Sequence, residues 1–206
     1  MVTNKMLVLS LRQRSIKRAF DLILSTVGIL FTFWLIIFVW IVASLDTRSN
    51  GFFLQKRVGK DGKIFKVIKI KTMIPNNNIA TTVTKAGDPR ITLLGAFFRK
   101  AKIDELPQLI NVLIGNMSFV GPRPDVPGFA DELIGEERAI ISIRPGITGP
   151  ATLKYSNEEA ILSHIKNPEE YNRDVIWPDK VKLNLDYIRE WSLKKDIGYI
   201  WQTIFG

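Results

Sequence analysis

The chain has no cysteine and a single histidine, His164, among 206 residues. The first absence excludes a thiol nucleophile, a disulfide frame and thiolate-bound zinc. The second argues against an imidazole-based triad and a two-histidine metal site, and His164 sits in a polar stretch, Asn157 to Asn167, that reads as an exposed helix. Acids are also the scarcer charge: 20 Asp and Glu face 29 Lys and Arg, a formal net charge of +9. Such an excess points to an anionic partner, and nucleic acid, a phospholipid surface and phosphorylated substrates all fit it.

Charge is missing altogether from Leu22 to Leu45, a run of 24 residues. As a helix it would extend about 36 Å, enough for a hydrocarbon core of about 30 Å. Basic residues (Lys5, Arg12, Arg14, Lys17, Arg18) precede it, as in a signal peptide. The run is longer than an h-region, however, and ends in Ala43-Ser44-Leu45-Asp46 rather than a clear cleavage site. A retained anchor over residues 1–48 is expected, holding a domain of residues 49–206. Five Lys or Arg in residues 1–21 are matched by five in residues 46–65, so both flanks favour the cytosol. A re-entrant segment that dips into the bilayer and returns satisfies both. Gly28 and Thr32 are its central bend formers, Thr32 by bonding back to a carbonyl one turn earlier.

Beyond the anchor, Phe52 to Val58 and Lys63 to Met73 read as strands of a hairpin around Gly59-Lys60-Asp61-Gly62. Alternation puts Lys69 and Lys71 on one face with Phe65 and Val67, where two ammonium groups could hold a pyrophosphate or simply decorate a surface. Residues 74–88 form a polar loop that could act as a lid. Leu106, Leu109, Ile110, Leu113 and Ile114 carry a helical period, with Pro107 in the first turn and Gly115 as the stop. The adjacent carboxylates Asp104 and Glu105 then fall at a helix N-terminus, where free N–H groups favour carboxylate and phosphate alike. An ordinary N-cap explains Asp104 equally well on these residues alone. Towards the C-terminus, Ile188, Trp191, Ile197, Ile200, Trp201 and Ile204 mark amphipathic helices that either pack on the core or lie on a membrane.

In order along the chain stand Lys17-Arg18-Ala19-Phe20-Asp21, Gln55-Lys56-Arg57-Val58-Gly59-Lys60-Asp61-Gly62, Lys69-Ile70-Lys71-Thr72-Met73 and Asp88-Pro89-Arg90-Ile91-Thr92. Asp104-Glu105-Leu106-Pro107-Gln108, Ser118-Phe119-Val120-Gly121-Pro122-Arg123-Pro124 and Arg144-Pro145-Gly146-Ile147-Thr148-Gly149-Pro150 follow, then Asp186-Tyr187 and Asp196-Ile197. This succession resembles the bacterial sugar transferases, the monotopic phosphoglycosyl transferases. Many members have Ser-Pro where this chain has Thr32-Phe33, and a Ser where it has Lys102.

The resemblance implies transfer of a sugar phosphate from a UDP-sugar to undecaprenyl phosphate, initiating polysaccharide or glycoconjugate synthesis. It implies Asp104 as the nucleophile of a covalent intermediate, Glu105 as its catalytic partner, and Mg²⁺ held by Asp104 and Glu105. It also implies a catalytic domain on the cytoplasmic face of the bacterial inner membrane, in contact with membrane lipids. A carboxylate suits a chain so poor in His, because at a reference pKa of about 3.9 it is ionised without a base. Its approach to an anionic pyrophosphate needs cations. Arg123 and Arg99 are the first candidates, then Lys69 and Lys71, with Arg57 and Arg144 from the matched motifs. The alternatives are an inactive membrane-anchored scaffold and an anionic-ligand binding module. A nucleic-acid partner is not expected, since such a site has little use for adjacent acids. The expected fold is a mixed α/β protein of the α+β type, with a small antiparallel hairpin or sheet, several helices and one membrane-embedded helix.

Overall fold

The computed structural model describes residues 8–74 and 88–206, so all but the ends of the expected 74–88 lid lie outside the described residues. Helix α1 (Leu11–Asp46) opens with a capping box, in which Ser10 and Gln13 accept from each other's backbone N–H. The Thr32 hydroxyl donates to the Gly28 carbonyl at 2.7 Å, the back-bond expected, and the helix runs through without interruption. The helix is long and apolar enough to cross a membrane, and only 17% of its most apolar window is buried. Leu30, Phe31, Trp34 and Phe38 stand exposed on one side.

Along the other side Lys17, Asp21, Ser25, Ile36, Val39 and Ala43 are buried at helical spacing. Towards the N-terminus, the Arg18 guanidinium donates to the Val112 and Leu113 carbonyls at 2.7 and 2.8 Å. Towards the C-terminus, Val39 and Ala43 share a core with Ile70 and Phe98. Both ends of the apolar run therefore rest on the same folded domain. Two of the five N-terminal cations also leave the topology count, since Arg18 serves those carbonyls and Lys17 is paired with Asp196.

Strands β1 (Phe52–Val58) and β2 (Ile64–Ile70) form the expected antiparallel hairpin, with Phe52 opposite Ile70 and Val58 opposite Ile64. The second strand ends three residues early: the Lys71 N–H still bonds the Gly51 carbonyl in register, and beyond it Met73 pairs with Ile91 instead of with β1. Helix α2 (Leu93–Lys100) is capped by Thr92. Helix α3 (Gln108–Leu113) lies along the free edge of β2. There the buried Asn111 side chain accepts from Ile68 N–H at 3.0 Å and donates to the Lys66 carbonyl at 2.8 Å, standing in for a neighbouring strand.

Strands β3 (Ser118–Val120) and β4 (Gly146–Thr148) form a parallel pair. At three residues each they are too short to display a period in sequence. A Cβ on Gly146 would collide with the Gly121 backbone, so this glycine is required by the approach of the two chains. Turns and a 3-10 helix (Glu137–Ser142) join these two strands, and helices follow: α4 (Pro150–Lys154), α5 (Glu158–Ser163), α6 (Pro168–Tyr171), α7 (Trp177–Arg189) and α8 (Leu193–Phe205). The α+β architecture is as expected. The two readings of the C-terminal segment divide between its helices. Ile188 and Trp191 join a core with Val120 and Ile143, on which Ile200 of α8 also packs, whereas Ile197, Trp201 and Ile204 on the rest of α8 are exposed. His164 is exposed.

Candidate active site

The two adjacent carboxylates do not open a helix. Lys102 adopts a left-handed conformation (φ 56°) after α2, Ile103–Glu105 form a 3-10 turn, and Pro107 occupies the cap of α3. The periodicity through Leu113 is genuine, but the helix begins four residues beyond Asp104. Its first N–H groups are used locally, Leu109 bonding to the Leu106 carbonyl and Ile110 to that of Pro107 at 3.1 and 3.0 Å. Those two N–H groups are thus taken, and the cations acting on the dyad include the side chains of Lys69, Arg99 and Arg123. Ile103 anchors the turn, packing on the cluster of Val39, Ala43, Ile70 and Phe98 from α1, β2 and α2.

The two carboxylates have opposite environments. Asp104 is 9% exposed, and its side chain bonds no other side chain among the described residues. Burial first and the neighbouring Glu105 charge second push its carboxyl up to about 6, against the pull of Lys69 and Arg99. Glu105 is also raised by burial, but Lys69 and Arg123 together outweigh this and hold it at about 2. Lys69 Nζ lies 2.6 Å from Glu105 Oε1 and Arg123 Nη2 lies 3.6 Å from the same oxygen. One carboxylate is clamped and ionised; the other is buried, unclamped and less acidic than its reference value.

The sequence candidates separate in space. Lys69, Arg123 and Arg99 act on the dyad. Arg99 is held by Thr72 Oγ1 at 2.9 Å and Met73 Sδ at 3.4 Å. Arg57 donates to the Pro124 carbonyl at 3.1 Å, and Val58 N–H to the Asp125 carbonyl at 2.8 Å. These contacts fasten to β1 the turn that carries Arg123. Lys71 departs from Lys69 and donates to Ser49 Oγ at 2.9 Å. Arg144 donates to the Gly115 carbonyl at 2.7 Å, beyond the far end of α3 from the dyad. Among the described residues no cluster of three or more potential metal-ligating side chains occurs. Two carboxylates still fit Mg²⁺, an oxygen-seeking ion commonly held by one or two carboxylates with water and substrate phosphates completing the shell.

Asn111 and Asp125 are the positioning residues that sequence reasoning missed. Only for Asp125 was there a signal, its place directly after Gly121-Pro122-Arg123-Pro124. Burial pushes the Asp125 carboxyl up to about 6 despite Lys180, Arg57 and Arg123, with Glu158 adding to the rise. From an unfolded value near 3.9, the native state binds the extra proton between about pH 4 and 6, so stability falls as pH rises through that window, by up to about 3 kcal/mol. Asp125→Asn is expected to raise the unfolding temperature at pH 7.5 by several degrees and to change it little at pH 4.5, followed by circular dichroism in detergent. Equal destabilisation at both values would mean that the carboxylate is a net anchor.

Comparison with known proteins gives a consistent answer. The bacterial sugar transferase family matches residues 12–206. The UDP-glucose:undecaprenyl-phosphate glucose-1-phosphate transferase of Escherichia coli is 35% identical over 93% of this chain and 40% of its own length. An undecaprenyl-phosphate glucose phosphotransferase of Komagataeibacter xylinus is 38% identical over 91% of this chain and 35% of its own. The chain thus spans well under half the length of these two relatives. It spans 93% of the exopolysaccharide production protein PSS of Rhizobium leguminosarum, which is 33% identical over 92% of this chain. With a match that takes in both carboxylates, every cation around them and the apolar run of α1, this chain belongs to the bacterial sugar transferase family.

Proposed function

We propose that the protein transfers a sugar phosphate from a UDP-sugar to undecaprenyl phosphate through a covalent intermediate on Asp104. The observation that carries this reading is the contrast within the dyad: a buried, unclamped Asp104 beside a Glu105 fixed by Lys69 and Arg123. In the first step an Asp104 carboxylate oxygen attacks the phosphorus that bears the sugar. A P–O bond to Asp104 forms, the pyrophosphate P–O bond breaks, and its electron pair leaves with UMP. Lys69, Arg123 and Arg99 oppose the repulsion between carboxylate and pyrophosphate. Glu105 keeps Lys69 and Arg123 in place. Asp104 and Glu105 would hold Mg²⁺, which when bound would neutralise phosphate charge.

The same reading places α1 in a membrane. Its exposed apolar side asks for lipid, yet both ends of the run rest on one domain, so a straight crossing would drag that domain into the bilayer. Insertion of the exposed side of α1 from the cytoplasmic face keeps the domain in water, and it needs none of the bend at Gly28 and Thr32 that the uninterrupted helix lacks. The exposed Ile197, Trp201 and Ile204 of α8 add a second apolar surface.

The test is Mg²⁺-dependent release of UMP from UDP-glucose, UDP-galactose and the N-acetylated UDP-sugars, with undecaprenyl phosphate as acceptor. Release from at least one donor, lost on chelation, is the expected result. No release across the panel would favour a scaffold or binding role.

A further inference from the structure

The two lysines of β2 and its extension have different surroundings. Residues 69, 71 and 73 share a face by strand alternation, and their side chains meet three different groups. Lys69 Nζ holds Glu105 at 2.6 Å, and Met73 Sδ accepts from Arg99 at 3.4 Å. Lys71, between them, donates to Ser49 Oγ at 2.9 Å, and that hydroxyl lies 3.1 Å from Thr47 Oγ1. Among the described residues neither Lys71 nor Arg99 has a carboxylate within ion-pair distance, whereas Lys69 and Arg123 share Glu105.

Ser49 lies three residues beyond the last residue of α1, at the mouth of the apolar run. Trp40 stacks on Phe52 there with ring centroids 5.8 Å apart and donates its indole N–H to Asn50 at 3.2 Å, the half-apolar, half-polar placement of an aromatic residue at a membrane interface. Ile70, next to Lys71 in the chain, is packed on Val39 and Ala43 of α1. An ammonium with no carboxylate partner among the described residues and a hydroxyl therefore stand where the lipid-facing helix gives way to the catalytic domain, one residue beyond β2. Arg123 reaches Glu105 from the Gly121–Asp125 turn, which is fastened to the far end of β1.

We propose that Lys71 and Ser49 form the subsite for the phosphate monoester of the lipid acceptor, separate from the donor contacts at Lys69 and Arg123. This rests on the transfer reading above. A lipid-borne phosphate can rise only to the interface, and Lys71 is a cation at that level, two residues along the chain from Lys69, which holds Glu105 of the dyad. In the second step an oxygen of the acceptor phosphate attacks the phosphorus carried by Asp104. A new P–O–P linkage forms, the P–O bond to Asp104 breaks, and its electron pair returns to the Asp104 carboxylate.

Because the donor acts before the acceptor, the two steps can be measured apart with the full chain in detergent. Lys71→Gln is expected to leave the UMP burst from a UDP-sugar alone within about twofold of wild type. It should raise by tenfold or more the undecaprenyl phosphate needed for half-maximal discharge of the loaded enzyme. Ser49→Ala should shift that concentration less, and Lys71→Arg should restore most of it. A slowed burst with an unchanged acceptor dependence would overturn the assignment. Binding of farnesyl phosphate in micelles, with no donor present, gives an independent readout. Tenfold weaker binding to Lys71→Gln supports the subsite even if no donor yields a burst, which would count against the transfer reading alone. Unchanged binding, or equal retention of inorganic phosphate, would overturn the lipid-phosphate subsite.

Discussion

Asp104→Asn is expected to abolish covalent capture of label from a UDP-sugar carrying ³²P on the sugar-linked phosphate, and to slow transfer by at least about 10³-fold. That corresponds to about 4 kcal/mol of lost transition-state stabilisation. The substitution is a fair test because it keeps shape. It removes no side-chain partner among the described residues, and burial already disfavours the ionised form, so the variant should be at least as stable as the parent. Glu105→Gln should behave differently. It leaves the nucleophile but loosens Lys69 and Arg123, so capture should be slowed, with a weaker dependence on Mg²⁺, and still detectable. A phosphosugar trapped on Asp104→Asn would sink the nucleophile assignment.

The largest expected effect on stability lies away from the dyad, at the junction of α1 with α7 and α8. Asp196 is fully buried and accepts from Lys17 Nζ at 2.7 Å, Tyr187 Oη at 2.7 Å and Trp191 Nε1 at 3.1 Å. One turn along α1, Asp21 accepts from Ser118 Oγ and Phe119 N–H, both at 3.0 Å. Removing one member of a buried ion pair leaves the other charge without compensation, typically at about 3–5 kcal/mol. Lys17→Met is therefore expected to destabilise by that amount in urea unfolding monitored in detergent. Lys17→Met/Asp196→Leu should recover part of the loss, since no lone charge then remains. Additive losses in the double variant would show that the pair is not coupled.

Much of this molecule was legible because it follows local rules. The span of β1, the back-bond of Thr32, the α+β architecture and the exposed His164 came from composition and periodicity. Other features depended on partners distant in the chain. Lys17 reads as one more flanking cation until Asp196, 179 residues away, is brought to it. The helix expected at Asp104 became a 3-10 turn because Pro107, lacking an N–H, caps α3 while Ile103 is drawn into the core behind it. A period identifies the face of a helix more securely than its first residue. The expectation of a readily ionised nucleophile was set by the reference value of Asp, and burial beside Glu105 moved it.

The sequence by itself determined the chemical vocabulary: no thiol, one exposed imidazole, an excess of cations, a charge-free run long enough for a bilayer, and two adjacent carboxylates within an ordered set of motifs. Those are properties of residues and of short spacing, which survive without coordinates. Only the tertiary structure decided which cation serves which group. Lys69 and Lys71 are two residues apart and share a face in the strand pattern, yet one ammonium meets Glu105 and the other Ser49. Arg144 and Arg123, both in glycine-proline turns, end at opposite ends of α3. The physical reason is reach: a Lys or Arg side chain spans several ångströms, so its charge is placed by the elements packed around it and not by its position along the chain.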